Sequence, residues 1–206
     1  MLTIWGRENS TNVKKALWCA AELGLNFSHI NAGGVYGKVN EEPFRSLNPN
    51  GLVPLLQDDD FTLWESNTIV RYLAAKFGQA PFYPNDIQAR AKAEKWMDWQ
   101  TSTISAPFRT ILRGIVRSQP EQRDMAQIEA AIAEMEQHLE IVEQTLAGQA
   151  YLSGDEFGIG DIPLGSFIYA WFEMPIKRQP RPHLERWYQS LCARPAYQSA
   201  VMTALT

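Results

Sequence analysis

Short apolar runs alternate with helical spacings over the first part of the chain. Four runs have the length and the bounding turn residues of strands: residues 2–5, 27–31, 53–56 and 61–64. Two stretches repeat apolar residues every three to four positions, as one buried face of a helix does: residues 13–20 and 69–77. The acidic tetrapeptide 57–60 predicts a hairpin between the last two runs. The order β-α-β-loop-β-β-α predicts an α/β domain over residues 1–80.

Helical patterns alone follow this first domain. Two prolines mark residues 79–85 as a linker. One long helix is predicted over residues 87–117, with a bend near Pro107, and an amphipathic stripe with steps of four and three residues occupies 128–146. Shorter helices are predicted at residues 162–171, 184–191 and 196–202. Residues 87–206 are therefore expected to form an all-α C-terminal helical domain.

Composition and charge limit the class of protein. The 206 residues carry 19 basic and 23 acidic side chains, and a net charge of −4 gives no basic footprint for a nucleic acid or an anionic membrane. No apolar run reaches the length of a membrane-spanning helix. The N-terminus turns polar too early for a signal peptide, and two cysteines make no disulfide scaffold. We expect a cytoplasmic protein with no nucleic-acid or membrane partner.

The loop before the first predicted helix carries several small polar side chains. Ser10 and Asn12 stand where a strand passes into a helix. Such residues cap helices by accepting from free backbone N–H groups, and the loop taken alone favours this interpretation. The alternative is that the helix end holds an anion, because its free N–H groups and the helix dipole favour negative charge. A hydroxyl donor at the same place favours a thiolate over a thiol.

A second segment, residues 48–56, places a proline where a strand begins. Pro54 would remove a donor from the strand ladder. A cis Val53–Pro54 bond in a tight turn resolves this conflict, and the outward backbone could then pair with an extended peptide. A plain proline turn is the simpler alternative.

A third segment, residues 63–69, again joins a strand to a helix. Ser66 is predicted to cap this helix, whose N–H groups could hold a carboxylate, and Glu65 beside it could pair with an ammonium group. These two functions together suit the head of an α-amino acid. The alternative is an ordinary cap with an exposed glutamate.

In this order and at these distances, the three segments resemble the glutathione S-transferase family. The resemblance covers the whole chain and is closest to bacterial, theta-like members with Ser or Thr in the first loop, in particular those acting on small halogenated substrates. It implies an N-terminal thioredoxin-like domain followed by helices, a homodimer, glutathione as co-substrate and no other cofactor. The three histidines show no metal-ligand spacing, so no metal site is expected.

The resemblance assigns roles residue by residue. Ser10 matches the thiolate-stabilising hydroxyl, and Asn12 matches an amide with the same task in some bacterial members. Six residues match positions that contact glutathione: Lys38, Val39, Val53, Pro54, Glu65 and Ser66. The Val53 backbone would pair with the cysteinyl part, the 65–66 pair would hold the γ-glutamyl end, and the 38–39 loop would reach the glycyl carboxylate.

A second-substrate site is expected in the helical domain. Arg109, Arg113 and Arg117 follow at steps of four, which places three guanidinium groups along one helix face. Because guanidinium pairs well with carboxylate, this face predicts a small anionic electrophile such as a haloacid. A solvated basic face is the alternative. Five residues are assigned to this site: Arg7, Phe108, Arg109, Arg113 and Trp171.

The predicted function is that of a glutathione transferase whose thiolate attacks a small electrophile. A glutathione-dependent disulfide reductase or isomerase is an alternative, although the chain has no CxxC motif and no cysteine in the first loop. A non-catalytic binding protein on the same fold is a further alternative. Cys19 is expected to be a core thiol, and Asp161 a structural residue in a capping segment where Gly158 replaces the family's Ser or Thr.

Overall fold

The computed structural model describes all 206 residues and begins with a four-stranded mixed sheet. Its strands are β1 (Leu2–Trp5), β2 (Ser28–Ile30), β3 (Leu55–Asp58) and β4 (Phe61–Trp64). The spatial order is β2-β1-β3-β4, in which β1 pairs with β2 in parallel and the other two pairs are antiparallel. Asp58 lies opposite Phe61. The hairpin loop is therefore Asp59-Asp60, which lies within the predicted acidic turn.

Helices pack against this sheet and then continue as an all-helical region, which confirms the predicted fold class. The first region contains three helices: α1 (Thr11–Glu22), the short α2 (Phe44–Leu47) and α3 (Ser66–Phe77). The helical region contains six: α4 (Ile87–Trp99), α5 (Ser105–Leu112), α6 (Met125–Gly148), α7 (Asp161–Glu173), α8 (Pro182–Cys192) and α9 (Pro195–Ala200). None of these helices combines the length and the apolar character that a bilayer crossing requires.

Helix α1 lies at the centre of the molecule. It contacts α3 on one side and α7 and α9 on the other. Trp18 is fully buried, with its ring centroid 4.7 Å from that of Tyr197 and 5.5 Å from that of Phe157. One hydrophobic core of 42 residues therefore runs through both regions instead of one core in each.

The long helix predicted over residues 87–117 is broken by two π-helical turns. The first spans Gln100–Ile104 and separates α4 from α5, and the second, Arg113–Arg117, follows α5. The distortion therefore lies one turn before Pro107, not at it. Pro107 has no N–H and its ring would meet the carbonyl of Thr103, so the turn before it widens.

Asp161 anchors the start of α7 from a fully buried position. Its carboxylate accepts from the backbone N–H groups of Leu152 (2.7 Å) and Gly158 (3.1 Å) and from Nε1 of Trp187 (2.8 Å). Burial raises the pKa of this carboxyl, while the hydrogen bonds oppose the rise. The structural role expected for Asp161 is confirmed by these contacts.

Steric crowding explains why residue 158 is a glycine. A Cβ there would lie 2.9 Å from Oγ of Ser153 and 3.2 Å from the carbonyl oxygen of Phe82. The Ser153 hydroxyl fills this space and accepts from the N–H of Gly160 at 3.0 Å. Ser153, seven residues earlier in the same connection, thus holds the N–H of the N-cap residue Gly160, and no side chain caps the first turn of α7.

Candidate functional site

Two adjoining cavities lie where the sheet region meets α1, α3 and α5. The larger one, about 380 Å³, is bordered by the first loop, the start of α1, residues 52–53 and α5. The smaller one, about 80 Å³, is bordered by residues 48–54 and by the junction of β4 with α3. Asn12, Leu52 and Val53 border both cavities. We call them the large and the small cavity.

The start of α1 presents free N–H groups to the large cavity. Ser10 holds the N-cap position with extended backbone angles (φ −84°, ψ 119°), but its side chain accepts no hydrogen bond from the helix. The first intrahelical bond runs from Lys14 N–H to the Ser10 carbonyl, which leaves the three preceding N–H groups without a partner. No acidic side chain lies in this first turn. The interpretation of Ser10 as a hydroxyl cap is therefore wrong, and the arrangement suits an anion.

Val53 offers an unpaired strand edge to the same place. The Val53–Pro54 bond is cis, which is one of the two alternatives that the sequence leaves open. Neither the N–H nor the carbonyl of Val53 makes a hydrogen bond in the structure, whereas β3, which begins two residues later, is paired on both sides. An extended peptide could therefore pair with Val53.

The junction of β4 with α3 differs from its predicted form. Glu65 occupies the N-cap position, with φ at +74°, and Ser66 is the first helical residue. The prediction that Ser66 caps α3 is wrong, because its buried hydroxyl is turned toward α1. Ser66 Oγ lies 3.4 Å from Asn12 Oδ1 and 3.4 Å from Lys15 Nζ. Both Glu65 and Ser66 border the small cavity.

Lys15, to which no sequence motif assigns a role, lies directly beneath this junction. Its side chain is 1% exposed, and its ammonium group donates to Oε1 of Gln100 at 2.6 Å. Burial lowers the pKa of Lys15 to about 7, and the nearby carboxylate of Glu65 opposes the shift. The sequence feature that points to Lys15 is its position three residues after Asn12, which places both side chains on one face of α1.

Three arginines border the large cavity. Arg7 comes from the first loop, Arg109 from α5 and Arg117 from the second π turn. Burial and the charges of Arg7 and Arg113 lower the pKa of Arg117. Arg117 also donates from Nε to the backbone oxygen of Thr206 at 3.1 Å. The spacing of the arginines predicts Arg117 on the basic face, but Arg117 is not among the residues predicted for the site.

The structure brings Phe108 to the large cavity but not Arg113 or Trp171. Trp171 is 1% exposed and belongs to the core, and Arg113 is exposed at the start of the second π turn. A π turn holds more residues than an α turn, so the spacing of four does not keep all three arginines on one face. Arg117 replaces Arg113 as the third arginine at the cavity.

Lys38 and Val39 lie outside both cavities. Lys38 is exposed, with φ at +68°, and its N–H lies 3.3 Å from Oε1 of Glu41. Val39 packs, together with Val53, against a small apolar cluster of Ala32, Phe44 and Leu55. Their predicted contact with the glycyl carboxylate stays a prediction.

Metal-ligating side chains form no cluster, and one of the two free cysteines is buried in the core. No group of three or more His, Cys, Asp or Glu side chains has an arrangement that could hold a metal ion. Cys19 is fully buried, its thiol lies 3.8 Å from the Val70 carbonyl, and burial raises its pKa. This supports its interpretation as a core thiol.

Comparisons with known proteins agree on one family. The models for the N-terminal and C-terminal domains of glutathione S-transferase match residues 1–75 and 96–195. The chain is 50% identical to glutathione S-transferase GstB of Escherichia coli K12 over 204 residues, 98% of each chain. It is 30% identical to glutathione S-transferase 3 of Zea mays, covering 97% of this chain and 93% of that one. A crystal structure of the theta class enzyme from Xanthomonas axonopodis pv. citri with glutathione bound superposes with a TM-score of 0.97 at 54% identity, covering 100% and 99% of the two chains.

Proposed function

The chain belongs to the glutathione S-transferase family. From this premise we propose that it binds glutathione along both cavities, ionises the glutathione thiol at the start of α1 and transfers the glutathionyl group to a small anionic electrophile. The observation that carries the proposal is the N-terminus of α1, whose N–H groups, with Ser10 and Asn12, border the place where the two cavities meet.

Glutathione would lie with its γ-glutamyl head in the small cavity and its sulfur at the large one. Glu65 would pair with the ammonium group of the head, and the backbone N–H groups at the start of α3, including that of Ser66, would hold its carboxylate. The free N–H and carbonyl of Val53 would pair with the cysteinyl backbone. Support comes from the theta class relative, which holds glutathione and matches this chain along its whole length.

The thiol would ionise because α1 stabilises its conjugate base. A free thiol has a pKa of about 8.5, and lowering it by about two units requires roughly 2.7 kcal/mol. The helix dipole, the Ser10 hydroxyl and the Asn12 amide together can supply this. The thiol proton passes to solvent. The sulfur then bonds to the electrophilic carbon while the bond from that carbon to its leaving group, for example a halide, breaks.

The electrophile would be small and anionic because the large cavity combines apolar and cationic walls. Phe108, Leu112 and Phe167 supply the apolar surface. Arg7, Arg109 and Arg117 supply three guanidinium groups, which pair with a carboxylate in a planar, bidentate manner. A cavity of about 380 Å³ shared with the sulfur leaves room for a compact substrate.

The thiolate mechanism is tested by titrating bound glutathione. Ultraviolet thiolate absorbance of the saturated complex, followed against pH, should show a thiol pKa higher by about one unit in Ser10→Ala and in Asn12→Ala, because each loses one donor to a charged acceptor. Asn9→Ala is the matched control, since Asn9 lies on the same loop but borders neither cavity. An unchanged titration in the Ser10→Ala, Asn12→Ala double variant would rule the mechanism out.

Two further expectations stay predictions: the homodimer that the family resemblance implies and the cytoplasmic location that the composition indicates. The alternative activities are separated by substrate. A disulfide reductase or isomerase would turn over glutathione mixed disulfides faster than alkyl halides, and a non-catalytic binder would bind glutathione without lowering its thiol pKa.

A further inference from the structure

A continuous row of polar side chains runs beneath the two cavities, with Lys15 in the middle. On one side its ammonium group lies 3.4 Å from Ser66 Oγ, which lies 3.4 Å from Asn12 Oδ1. On the other side it donates to Gln100 Oε1 at 2.6 Å, and Gln100 Nε2 donates to Ser105 Oγ at 2.9 Å. The row begins at Asn12, where the cavities meet, and ends at Ser105, which borders the large cavity.

The chemistry of an ammonium group gives this row a direction. In its charged form, which the nearby carboxylate of Glu65 favours, Lys15 has three donors and no acceptor. It therefore takes a lone pair of the Ser66 hydroxyl, whose hydrogen is then left to donate to Asn12 Oδ1. The third side of the ammonium faces the ring of Phe167, 5.2 Å from the centroid, so no other acceptor competes for it there. With its oxygen engaged, the Asn12 amide keeps its NH2 group for the cavity.

We propose that Lys15 is a positioning residue that holds the Asn12 amide, through Ser66, with its NH2 group toward the glutathione sulfur. The proposal rests on the function given above, in which Asn12 stabilises the thiolate. Without the ammonium group, the Ser66 hydroxyl can rotate and accept from Asn12 instead. The reversed amide would then turn its oxygen toward the sulfur, and an oxygen opposes a thiolate.

The neighbouring Lys14 provides a matched control on the same helix. It is equally buried, at 2% exposed, but its ammonium group donates to the Val201 carbonyl at 2.7 Å and faces the ring of Tyr169. It contacts neither Ser66 nor Asn12. Replacing either lysine by methionine removes one buried charge from α1 at nearly constant volume, so a purely structural effect of charge removal should be similar at both positions.

The experiment is a double-mutant cycle read by the thiol pKa of bound glutathione. Lys15→Met should raise this pKa by roughly half a unit to one unit, and Lys14→Met should leave it unchanged. In an Asn12→Ala background Lys15→Met should have no further effect, because the two residues act through one contact chain. Gln100→Met removes the 2.6 Å acceptor of the ammonium group and should shift the pKa in the same direction, so the test does not depend on Lys15→Met folding.

The outcomes separate this inference from the proposed function. If Asn12→Ala raises the thiol pKa while Lys15→Met and Gln100→Met do not, the role of Lys15 is overturned and the thiolate mechanism stands. An equal shift from Lys15→Met with and without Asn12 also overturns it, because the ammonium then acts on the sulfur independently of the amide. If Asn12→Ala leaves the pKa unchanged, the assignment of Asn12 falls and the inference falls with it.

Discussion

Recognition of the γ-glutamyl head depends on single residues at the small cavity. Glu65 is an exposed carboxylate at the N-cap of α3, next to the hydroxyl of Ser66. We expect Glu65→Gln to weaken glutathione binding roughly tenfold to a hundredfold by calorimetry, since a hydrogen bond to a charged group contributes about 1.5–3 kcal/mol. Glutamine has nearly the same shape as glutamate, so the substitution adds no strain to the positive φ at position 65.

Glu8→Gln is the control for this prediction, because Glu8 is an exposed glutamate of the first loop that borders neither cavity. Equal dissociation constants for the parent and Glu65→Gln would show that the ammonium group of glutathione binds elsewhere.

At the residue scale, the sequence identified those side chains that stand in short local motifs. Ser10, Asn12 and Val53 border the cavities because each stands at a strand end or a helix start, and such positions can be read from a few neighbouring residues. Lys15 could not be found in this way. Its side chain is enclosed by Ser66, Gln100 and Phe167, which lie about 50, 85 and 150 residues away along the chain.

At the element scale, helix starts are stabilised to different degrees by aspartate. Asp161 is fully buried at the start of α7 and serves three backbone N–H groups and one indole. Asp124 caps α6 at an exposed position with one bond, to the N–H of Gln127 at 3.0 Å. We expect Asp161→Ala to lower the free energy of unfolding by about 3–5 kcal/mol, because several buried donors lose their partner.

Asp124→Ala is the matched substitution and should cost about 1 kcal/mol, as the loss of an exposed cap does. Urea unfolding with a common m value measures both changes. Similar losses for the two variants would mean that the Asp161 network relaxes at little cost and is not what holds the start of α7.

Hydrophobic periodicity predicted where the helices lie, but it did not predict where they depart from regular α-helical geometry. The stripe over residues 128–146 is observed as one face of α6, with Met135, Leu139 and Val142 fully buried. Over residues 100–117, however, two π turns change the number of residues per turn. Hydrophobic spacing tolerates such turns. The direction of an arginine side chain depends on them, so the constant spacing of four assigned Arg113 to the site, whereas Arg117 is the one that borders the large cavity.

At the scale of the whole molecule, the site is shared between the two regions. The thiolate-stabilising groups come from α1 and the first loop, whereas Phe108, Arg109 and Arg117 come from the helical region. The common core holds these surfaces in register across α1. Sequence motifs could predict each surface separately. How the surfaces face each other depends on contacts between distant segments, which no local pattern encodes.

The arginines of the large cavity lead to a prediction about substrate charge. Chloroacetate and chloroacetamide have nearly the same size but differ in charge, so we expect the anion to have the higher kcat/KM once each rate is divided by its uncatalysed reaction with glutathione. Arg109→Ala and Arg117→Ala should each reduce this preference about tenfold, since a charge-assisted pair contributes roughly 1.5 kcal/mol at a partly exposed site. Arg113→Ala, an exposed arginine that does not border the cavity, should leave the preference unchanged. A parent protein that prefers the neutral amide would show that the arginines do not select the electrophile.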